Sequence, residues 1–182
     1  METFFTSDTH FFHRNIAGPK VSKWPDGFRN FNDEFEMNQI LIKNWNKRVA
    51  PNDIVYHLGD VSFGQPHNTG ELLRQLHGTI HLCIGNHEKP ALANRGRFAS
   101  VCHYNEVTIN KQKFVLFHYP IESWDHKHHG AIHLHGHTHY KLTSVGISRV
   151  DVGVDNPFSG YAPFDVDEVI LLAATNLQSS IK

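Results

Sequence analysis

Five short apolar runs, each followed at once by a polar loop, are the feature that most constrains the fold of this chain. They read TFFTSDTH, DIVYHLGD, TIHLCIGNH, FVLFHYP and AIHLHGHTH. Each run has the length and the β-branched or aromatic content of a strand, and each gives way to Asp, Asn, His or Gly. The pattern predicts strands whose C-terminal ends carry the functional side chains.

The segments between these runs predict helices and further strands. Helices are expected at about residues 33–48 and 68–76, and further strands at about 101–109, 145–154 and 166–174. Residues 18–32, which contain Pro and Gly, predict a long loop. The buried side of the first helix is expected to contain Phe35, Ile40, Leu41, Ile42 and Trp45. This order of elements predicts an α/β sandwich.

Length and charge limit the classes of protein that this chain can belong to. Its 182 residues predict a single domain, residues 1–182, with a core of its own. Lys and Arg number 17 against 18 Asp and Glu, which argues against stable binding of long nucleic acid. No apolar run is long enough to cross a bilayer, and two cysteines outside any CxxC pair predict a reducing, cytoplasmic setting.

The loops after the five runs contain residue types that bind metal ions. In chain order these are Asp8, His10, Asp60, Asn86, His87, His118, His137 and His139. Carboxylate, imidazole and amide ligands without thiolate suit Mn²⁺, Fe, Zn²⁺ or Ni²⁺ and argue against a Cys-based zinc site. Because the C-terminal ends of parallel strands open onto one crevice, these separated residues can meet.

Five motifs occur in a fixed order along the chain: DTH at 8–10, GD at 59–60, GNHE at 85–88, His118 within FHYP, and GHTH at 136–139. Together they resemble the motifs of the calcineurin-like metallophosphoesterases. The resemblance implies a four-layer α/β/β/α sandwich and a centre of two divalent transition-metal ions. Mn²⁺ is expected first, with Fe, Zn²⁺ or Ni²⁺ as alternatives.

The same resemblance implies a role for each residue of the motifs. One ion would be held by Asp8, His10, Asp60 and His139. The other would be held by Asp60, Asn86, His118 and His137, so that Asp60 bridges the two ions. His87 resembles the catalytic histidine of the family, which lies beside the metals and is not a ligand. Its imidazole could hold a proton near neutral pH and donate it to a phosphoryl or leaving oxygen.

One position departs from the family pattern. Many relatives have GDxxD at the second motif, where the later Asp supports the catalytic histidine, but GDVSF places Phe63 there. Glu88 or a backbone carbonyl could orient His87 instead. The departure argues against a protein phosphatase.

Several other polar residues have two readings. His13, Arg14 and Asn15 could contact substrate phosphate or form a solvated loop and helix start. His133 and His135 lie on the strand that delivers the last two ligands, and one of them is expected to bond to a ligand residue. His57 is expected to be a core histidine with satisfied hydrogen bonds. The run DHKHHG at residues 125–130 favours a mobile polar loop over an accessory metal site or a lid.

These features together predict metal-dependent hydrolysis of a phosphate ester. A small phosphoester is favoured because only the loops at 18–32 and 121–130 could roof the site. A phosphodiester, such as a cyclic or other small nucleotide, is placed slightly ahead of a monoester. The alternatives are a nuclease or a phosphomonoesterase of the same family, or a non-catalytic protein-binding scaffold. The charge balance disfavours the nuclease, and the full ligand set with His87 disfavours the scaffold. The sequence leaves the native metal and the oligomeric state open.

Overall fold

The computed structural model describes residues 1–178, and these residues form a mixed α/β fold with two largely parallel sheets. The first sheet contains β1 (Thr3–Thr6), β2 (Ile54–His57), β3 (Thr79–Cys83), β4 (Ser100–Cys102) and β9 (Phe164–Asp165), in the order β4-β3-β2-β1-β9. Strands β1 to β4 run parallel and β9 is antiparallel to β1.

The second sheet contains β5 (Tyr104–Ile109), β6 (Gln112–Phe117), β7 (Ile132–His135) and β8 (Arg149–Asp151), in that order. Strands β6, β7 and β8 are parallel, and β5 pairs with β6 as an antiparallel neighbour. The five apolar runs of the sequence therefore form β1, β2, β3, β6 and β7, as predicted.

Five α-helices are described in residues 1–178. They are α1 (Arg14–Ala17), α2 (Glu34–Arg48), α3 (Pro66–Leu73), α4 (Lys89–Leu92) and α5 (Val166–Gln178). Short 3₁₀ turns occupy Arg95–Arg97 and Lys127–His129. Helix α2 begins after Asp33 because the Asp33 carboxylate accepts hydrogen bonds from the backbone N–H groups of Phe35 and Glu36. No described helix is long and apolar enough to span a membrane.

Strand β1 is buried on both faces because neighbouring side chains of a strand point in opposite directions. Phe4 packs with Leu41 and Trp45 of α2 in one buried cluster. Phe5 packs with Phe114 of the second sheet and Val169 of α5 in another cluster, which contains residues of both sheets. The two clusters hold β1 and its polar C-terminal loop between helices on one side and the second sheet on the other.

The strand predicted at residues 166–174 is wrong, because this segment belongs to helix α5. The Glu168 backbone N–H donates to Asp165 Oδ1, and the Asp165 N–H donates to Glu168 Oε2, which is a reciprocal cap at a helix start. The helix buries Val166, Val169 and Ala173, a spacing typical of one helical face. The apolar run VILLAA conceals this spacing in the sequence.

Other predicted boundaries also need correction. Residues 101–109 are not one strand but parts of β4 and β5, which belong to different sheets. The strand at 145–154 is reduced to β8, and the helix at 68–76 is α3, displaced toward the N-terminus with Pro66 in its first turn. Residues 18–32 contain neither helix nor strand, as predicted.

The buried face of α2 was predicted only in part. Met37, Leu41 and Trp45 are buried at a spacing of four residues, whereas Phe35 is 62% exposed. Ile40 and Ile42 are half-buried. Phe35 was assigned wrongly because it lies about half a turn away from Met37 on the helix surface.

Candidate metal centre

The loops that follow β1, β2, β6 and β7 are tied together by backbone hydrogen bonds. The Asp8 N–H donates to the Gly59 carbonyl at 2.9 Å and the His10 N–H to the Asp60 carbonyl at 3.1 Å. The Gly136 N–H donates to the His118 carbonyl at 2.9 Å. The His137 N–H, after β7 of the second sheet, donates to Asp8 Oδ2, after β1 of the first sheet, at 2.9 Å. The predicted ligands of both sheets are thereby brought to one place.

Two glycines of the motifs are required by close approach. A Cβ on Gly136 would overlap Ser7 Oγ and Asp8 Oδ2, and a Cβ on Gly85 would overlap Asp60 Oδ1. Each glycine lets a carboxylate of the opposite loop lie directly against the backbone. The Gly in GNHE and the Gly in GHTH therefore set the distance between loops.

The candidate ligands have unusual backbone conformations. Asp8, His10, Asp60, His137 and His139 all have positive φ, between 47° and 69°. The left-handed region is disfavoured for residues with a side chain, and such residues cluster at functional sites. The shared strain indicates that the loops are shaped to aim side chains rather than to satisfy local preference.

The first donor group contains Asp8, His10 and His139, whose ligand atoms lie within 4.8 Å of one another. Asp8 Oδ1 and both ring nitrogens of His10 are buried and have no hydrogen-bond partner. His10 Nε2 lies 3.7 Å from Asp8 Oδ1 and 3.7 Å from Asp60 Oδ2. These distances are too long for hydrogen bonds, but donors that each lie about 2.0–2.2 Å from one ion are separated by roughly this amount. The unpaired atoms fit a metal ion.

The second donor group is built around Asn86. Its Oδ1 lies 2.9 Å from His118 Nε2 and 2.9 Å from His137 Nδ1. His118 Nδ1 donates to the Leu58 carbonyl at 2.7 Å, which leaves Nε2 of a neutral ring with a lone pair. With the Asn86 amide in this orientation, two hydrogen-bond acceptors face each other, namely Asn86 Oδ1 and His118 Nε2. That arrangement is repulsive by itself, and a bound cation would relieve the repulsion.

Asp60 lies between the two groups. Its Oδ2 faces His10 at 3.7 Å, and its Oδ1 faces His118 at 3.7 Å. Asp8, Asp60 and His118 also have ligand atoms within 4.8 Å of one another. One carboxylate therefore presents a different oxygen to each donor group.

The protonation states suit metal binding. Burial by itself raises the pKa of Asp8, but the imidazoles of His10, His139 and His118 outweigh it and lower the pKa to about 2. Burial lowers the pKa of His10. At neutral pH Asp8 is an anion and His10 is neutral, which are the forms that coordinate metal ions.

A buried ion pair that was not predicted from the sequence supports this centre. His139 Nδ1 donates to Asp155 Oδ2 at 2.7 Å, and Arg29 holds the same carboxylate through Nε at 2.7 Å and Nη2 at 2.9 Å. Arg29 also donates to the backbone carbonyls of Asp8 and Thr9. Burial raises the pKa of Asp155, but the Arg29 charge outweighs it and holds this pKa below its usual range. The pair connects the β1 loop to His139.

Asp155 could have been found, since it directly follows the strand predicted at residues 145–154, as the other motifs follow theirs. Arg29 lies in the long loop, where no spacing marks it. Asp151 was missed as well, and it shapes the GHTH loop by accepting hydrogen bonds from Thr138 Oγ1 and the Tyr140 N–H.

Glu88 does not orient His87. Its buried carboxylate accepts hydrogen bonds from the backbone N–H groups of Gly85, Asp60 and Val61, at 2.7–3.0 Å. Glu88 therefore joins the loops after β2 and β3. Both carboxylate oxygens of Glu88 accept from backbone N–H groups, and neither bonds to the ring of His87.

The ring of His87 contacts the ring of Phe63, with centroids 4.8 Å apart, and it lies 6.2 Å from the ring of His10. Within residues 1–178 its ring nitrogens have no hydrogen-bond partner. Its backbone N–H donates to Asp60 Oδ1 at 2.8 Å. Phe63 therefore contacts His87 by ring packing and offers it no hydrogen bond.

The donor groups open into a cleft of about 470 Å³. Its lining residues are His10, His13, Ile16, Trp24, Pro25, Asp26, Gly27, Asp60, Phe63, Asn86, His87, His137, His139 and Lys141. Of the three residues suggested for substrate contact, only His13 lines it. Arg14 is exposed on α1, and Asn15 Oδ1 accepts a hydrogen bond from the Lys23 N–H.

The other histidines considered in the sequence lie outside the two donor groups. His133 Nδ1 donates to the Val115 carbonyl and its Nε2 accepts from the Ile121 N–H, while His135 Nδ1 donates to the Gly136 carbonyl. The expectation that one of them would bond to a ligand residue is therefore wrong. His57 is a buried core residue that pairs with Thr9 Oγ1 at 3.0 Å, as predicted. Residues 125–130 lie outside the cleft.

Comparison with solved structures finds proteins of similar fold. The chain superposes on a protein of unknown function from Aquifex aeolicus, AQ665, with a TM-score of 0.69 and 23% identity, over 94% of this chain and 98% of that one. A solved archaeal phosphodiesterase gives a TM-score of 0.48 and 18% identity over 84% of this chain and 82% of that one.

Sequence comparison gives the family. No protein-family model matches the chain. It is 35% identical over 175 residues to the uncharacterized protein MJ1445 of Methanocaldococcus jannaschii, covering 93% of this chain and 89% of that protein, and it belongs to the same family. It is also 26% identical to the gene 66 protein of Mycobacterium phage D29, over 84% of this chain and 87% of that protein.

Proposed function

We propose that this chain is a dinuclear metal-dependent phosphoester hydrolase of the calcineurin-like type, with a four-layer α/β/β/α arrangement, and that it acts on small phosphodiesters. The observation that carries the proposal is the position of Asp60, which presents one carboxylate oxygen to each of two donor groups. Two such groups sharing a carboxylate are the arrangement required by a two-metal site.

Two further observations support bound cations. Asp8 Oδ1 and His10 Nε2 are buried without partners, and such atoms carry a desolvation cost that coordination removes. The donor set of carboxylate, imidazole and amide favours Mn²⁺, with Fe, Zn²⁺ or Ni²⁺ as alternatives. Two bound ions would supply Lewis-acid activation of a water and neutralise charge on the phosphoryl oxygens.

Side chains of the cleft would donate the proton and orient a metal ligand. His87 lines the cleft, and its ring nitrogens have no partner among the described residues, so it is available to donate a proton to the leaving oxygen. Arg29 and Asp155 would hold His139 through its Nδ1, which would leave Nε2 of this member of the first donor group to coordinate.

The shape of the cleft favours a small diester. Beyond the donor residues it continues to Trp24, Asp26 and Lys141, which leaves room for a second group on the phosphorus. The loop at residues 18–32 forms this outer part. A volume of about 470 Å³ suits a small molecule such as a nucleotide.

A reconstitution assay tests the proposal. Protein stripped of metal by chelation should be inert, and Mn²⁺ should restore hydrolysis of bis-p-nitrophenyl phosphate, with slower hydrolysis of the monoester p-nitrophenyl phosphate. Protein that binds each of the four metals but hydrolyses neither ester would refute the catalytic proposal. Faster hydrolysis of the monoester would refute only the diester preference.

A further inference from the structure

The outer part of the cleft contains three aromatic rings, which we call the aromatic wall: His13, Trp24 and Phe63. The rings of His13 and Phe63 are stacked, with centroids 3.9 Å apart and planes inclined by 9°. The indole of Trp24 stands against the His13 ring at 5.3 Å and 80°. All three side chains line the cleft.

The wall leaves apolar surface exposed inside a concave site. Trp24 is 44% exposed and Phe63 is 38% exposed, whereas Trp45 and Trp124 are 2% and 8% exposed. Large aromatic surface that remains open in a cleft, beside polar groups that converge, is typical of a ligand site. The Nδ1 atom of His13 is also buried without a partner, so a bound group could meet a polar atom there.

The wall is continuous with the candidate metal centre. The Phe63 ring lies 4.8 Å from the His87 ring and 5.2 Å from the His10 ring. A planar group about the size of a nucleobase on the wall would therefore lie beside a phosphate held near His87. Lys141 also lines the cleft and adds positive charge for an anionic ligand.

We propose that the aromatic wall binds a planar aromatic group of the substrate, so that the hydrolase selects nucleoside or other aryl phosphodiesters over alkyl ones. This inference rests on the proposed function and assigns a substrate class to the same site. Stacking gives selectivity for a ring without strong preference for one base, because every base has a π-face.

The test uses two probes without a phosphoester bond, so that binding is measured without turnover. One is the AMP analogue in which a methylene group replaces the 5′ ester oxygen, and the other is propylphosphonate, which has no ring. Trp24 is the most exposed of the three tryptophans, and its fluorescence should be quenched by the first probe alone. In the Mn²⁺-loaded protein, calorimetry should show the adenosine probe binding roughly tenfold or more tighter.

Variants separate stacking from simple occupancy. Trp24→Ala should remove most of the difference between the two probes, and Trp24→Phe should retain it. Phe158→Ala removes an aromatic ring that is 64% exposed but does not line the cleft, so it should change neither affinity. Equal affinity of the two probes in the wild type, or an unchanged difference in Trp24→Ala, would overturn the inference. Hydrolysis of bis-p-nitrophenyl phosphate is measured separately and tests the proposed function, so the two inferences can fail independently.

Discussion

His139 Nδ1 lies 2.7 Å from Asp155 Oδ2, and the same carboxylate is held on its other side by Arg29. A carboxylate that accepts from Nδ1 fixes the ring orientation and leaves Nε2 for coordination, which is how many metal-binding histidines are supported. The contact also spans the fold, since Asp155 follows β8 while Arg29 holds the loop after β1.

Asp155→Asn should weaken metal binding without unfolding the protein. The amide keeps the size of the side chain but removes the charge that orients His139 and pairs with Arg29. We expect metal affinity to fall by about 10- to 100-fold, measured by calorimetric titration of metal-stripped protein. Asp167→Asn, on the exposed side of α5, is the matched control. Unchanged affinity in Asp155→Asn would show that His139 needs no such support.

Gly136→Ala should distort the centre from its backbone. The new methyl group would overlap Ser7 Oγ and Asp8 Oδ2, and neither group can retreat from a buried position. We expect a loss of about 1–3 kcal/mol in the free energy of unfolding, together with reduced metal content. Gly96→Ala, where a Cβ would meet nothing within 4 Å, should change neither quantity. Chemical denaturation and elemental analysis measure both.

His87→Ala should separate catalysis from metal binding. Since the ring lies outside both donor groups, metal content and fold should be retained while turnover falls by roughly 10²- to 10⁴-fold. Steady-state kinetics with bis-p-nitrophenyl phosphate and elemental analysis of the same samples give the answer. A proportional loss of metal would instead make His87 a ligand.

The stability of the metal-free protein should depend on pH through buried histidines. Burial lowers the pKa of His57 to about 3 from a reference value of 6.5, so between these values the unfolded chain binds a proton that the folded chain does not. Protonation of this residue therefore does not reduce the free energy of unfolding above about pH 6.5, and it reduces that free energy progressively as the pH falls from 6.5 toward 3. Each such histidine contributes a slope of about 1.4 kcal/mol per pH unit.

His57→Gln should remove one such slope and keep a polar partner for Thr9. Urea unfolding at pH 6 and pH 4 gives the two free energies that are compared. His133, whose pKa burial also lowers to about 3, should continue to contribute in the variant. An unchanged difference between the two pH values in His57→Gln would contradict this account.

The meeting of the donor residues could be predicted because each motif follows a strand and parallel strands end at one edge. Arg29 could not be predicted, since its position depends on how the loop at 18–32 folds back over β1. The helical state of α5 was missed because a run such as VILLAA suits a buried strand as well as a helix, and only the Asp165–Glu168 cap decides between them. The contact between His87 and Phe63 likewise depends on packing, which a motif does not specify.

Calorimetric titration of metal-stripped protein with Mn²⁺ tests most directly whether Asp60 serves two ions. Wild-type protein should bind two ions. Asn86→Ala should retain one, because the group of Asp8, His10 and His139 is left intact. Asp60→Ala should weaken both sites and abolish hydrolysis, because the carboxylate that offsets the repulsion between the ions is removed. Tight binding of two ions by Asp60→Ala, or of a single ion by the wild type, would contradict the account.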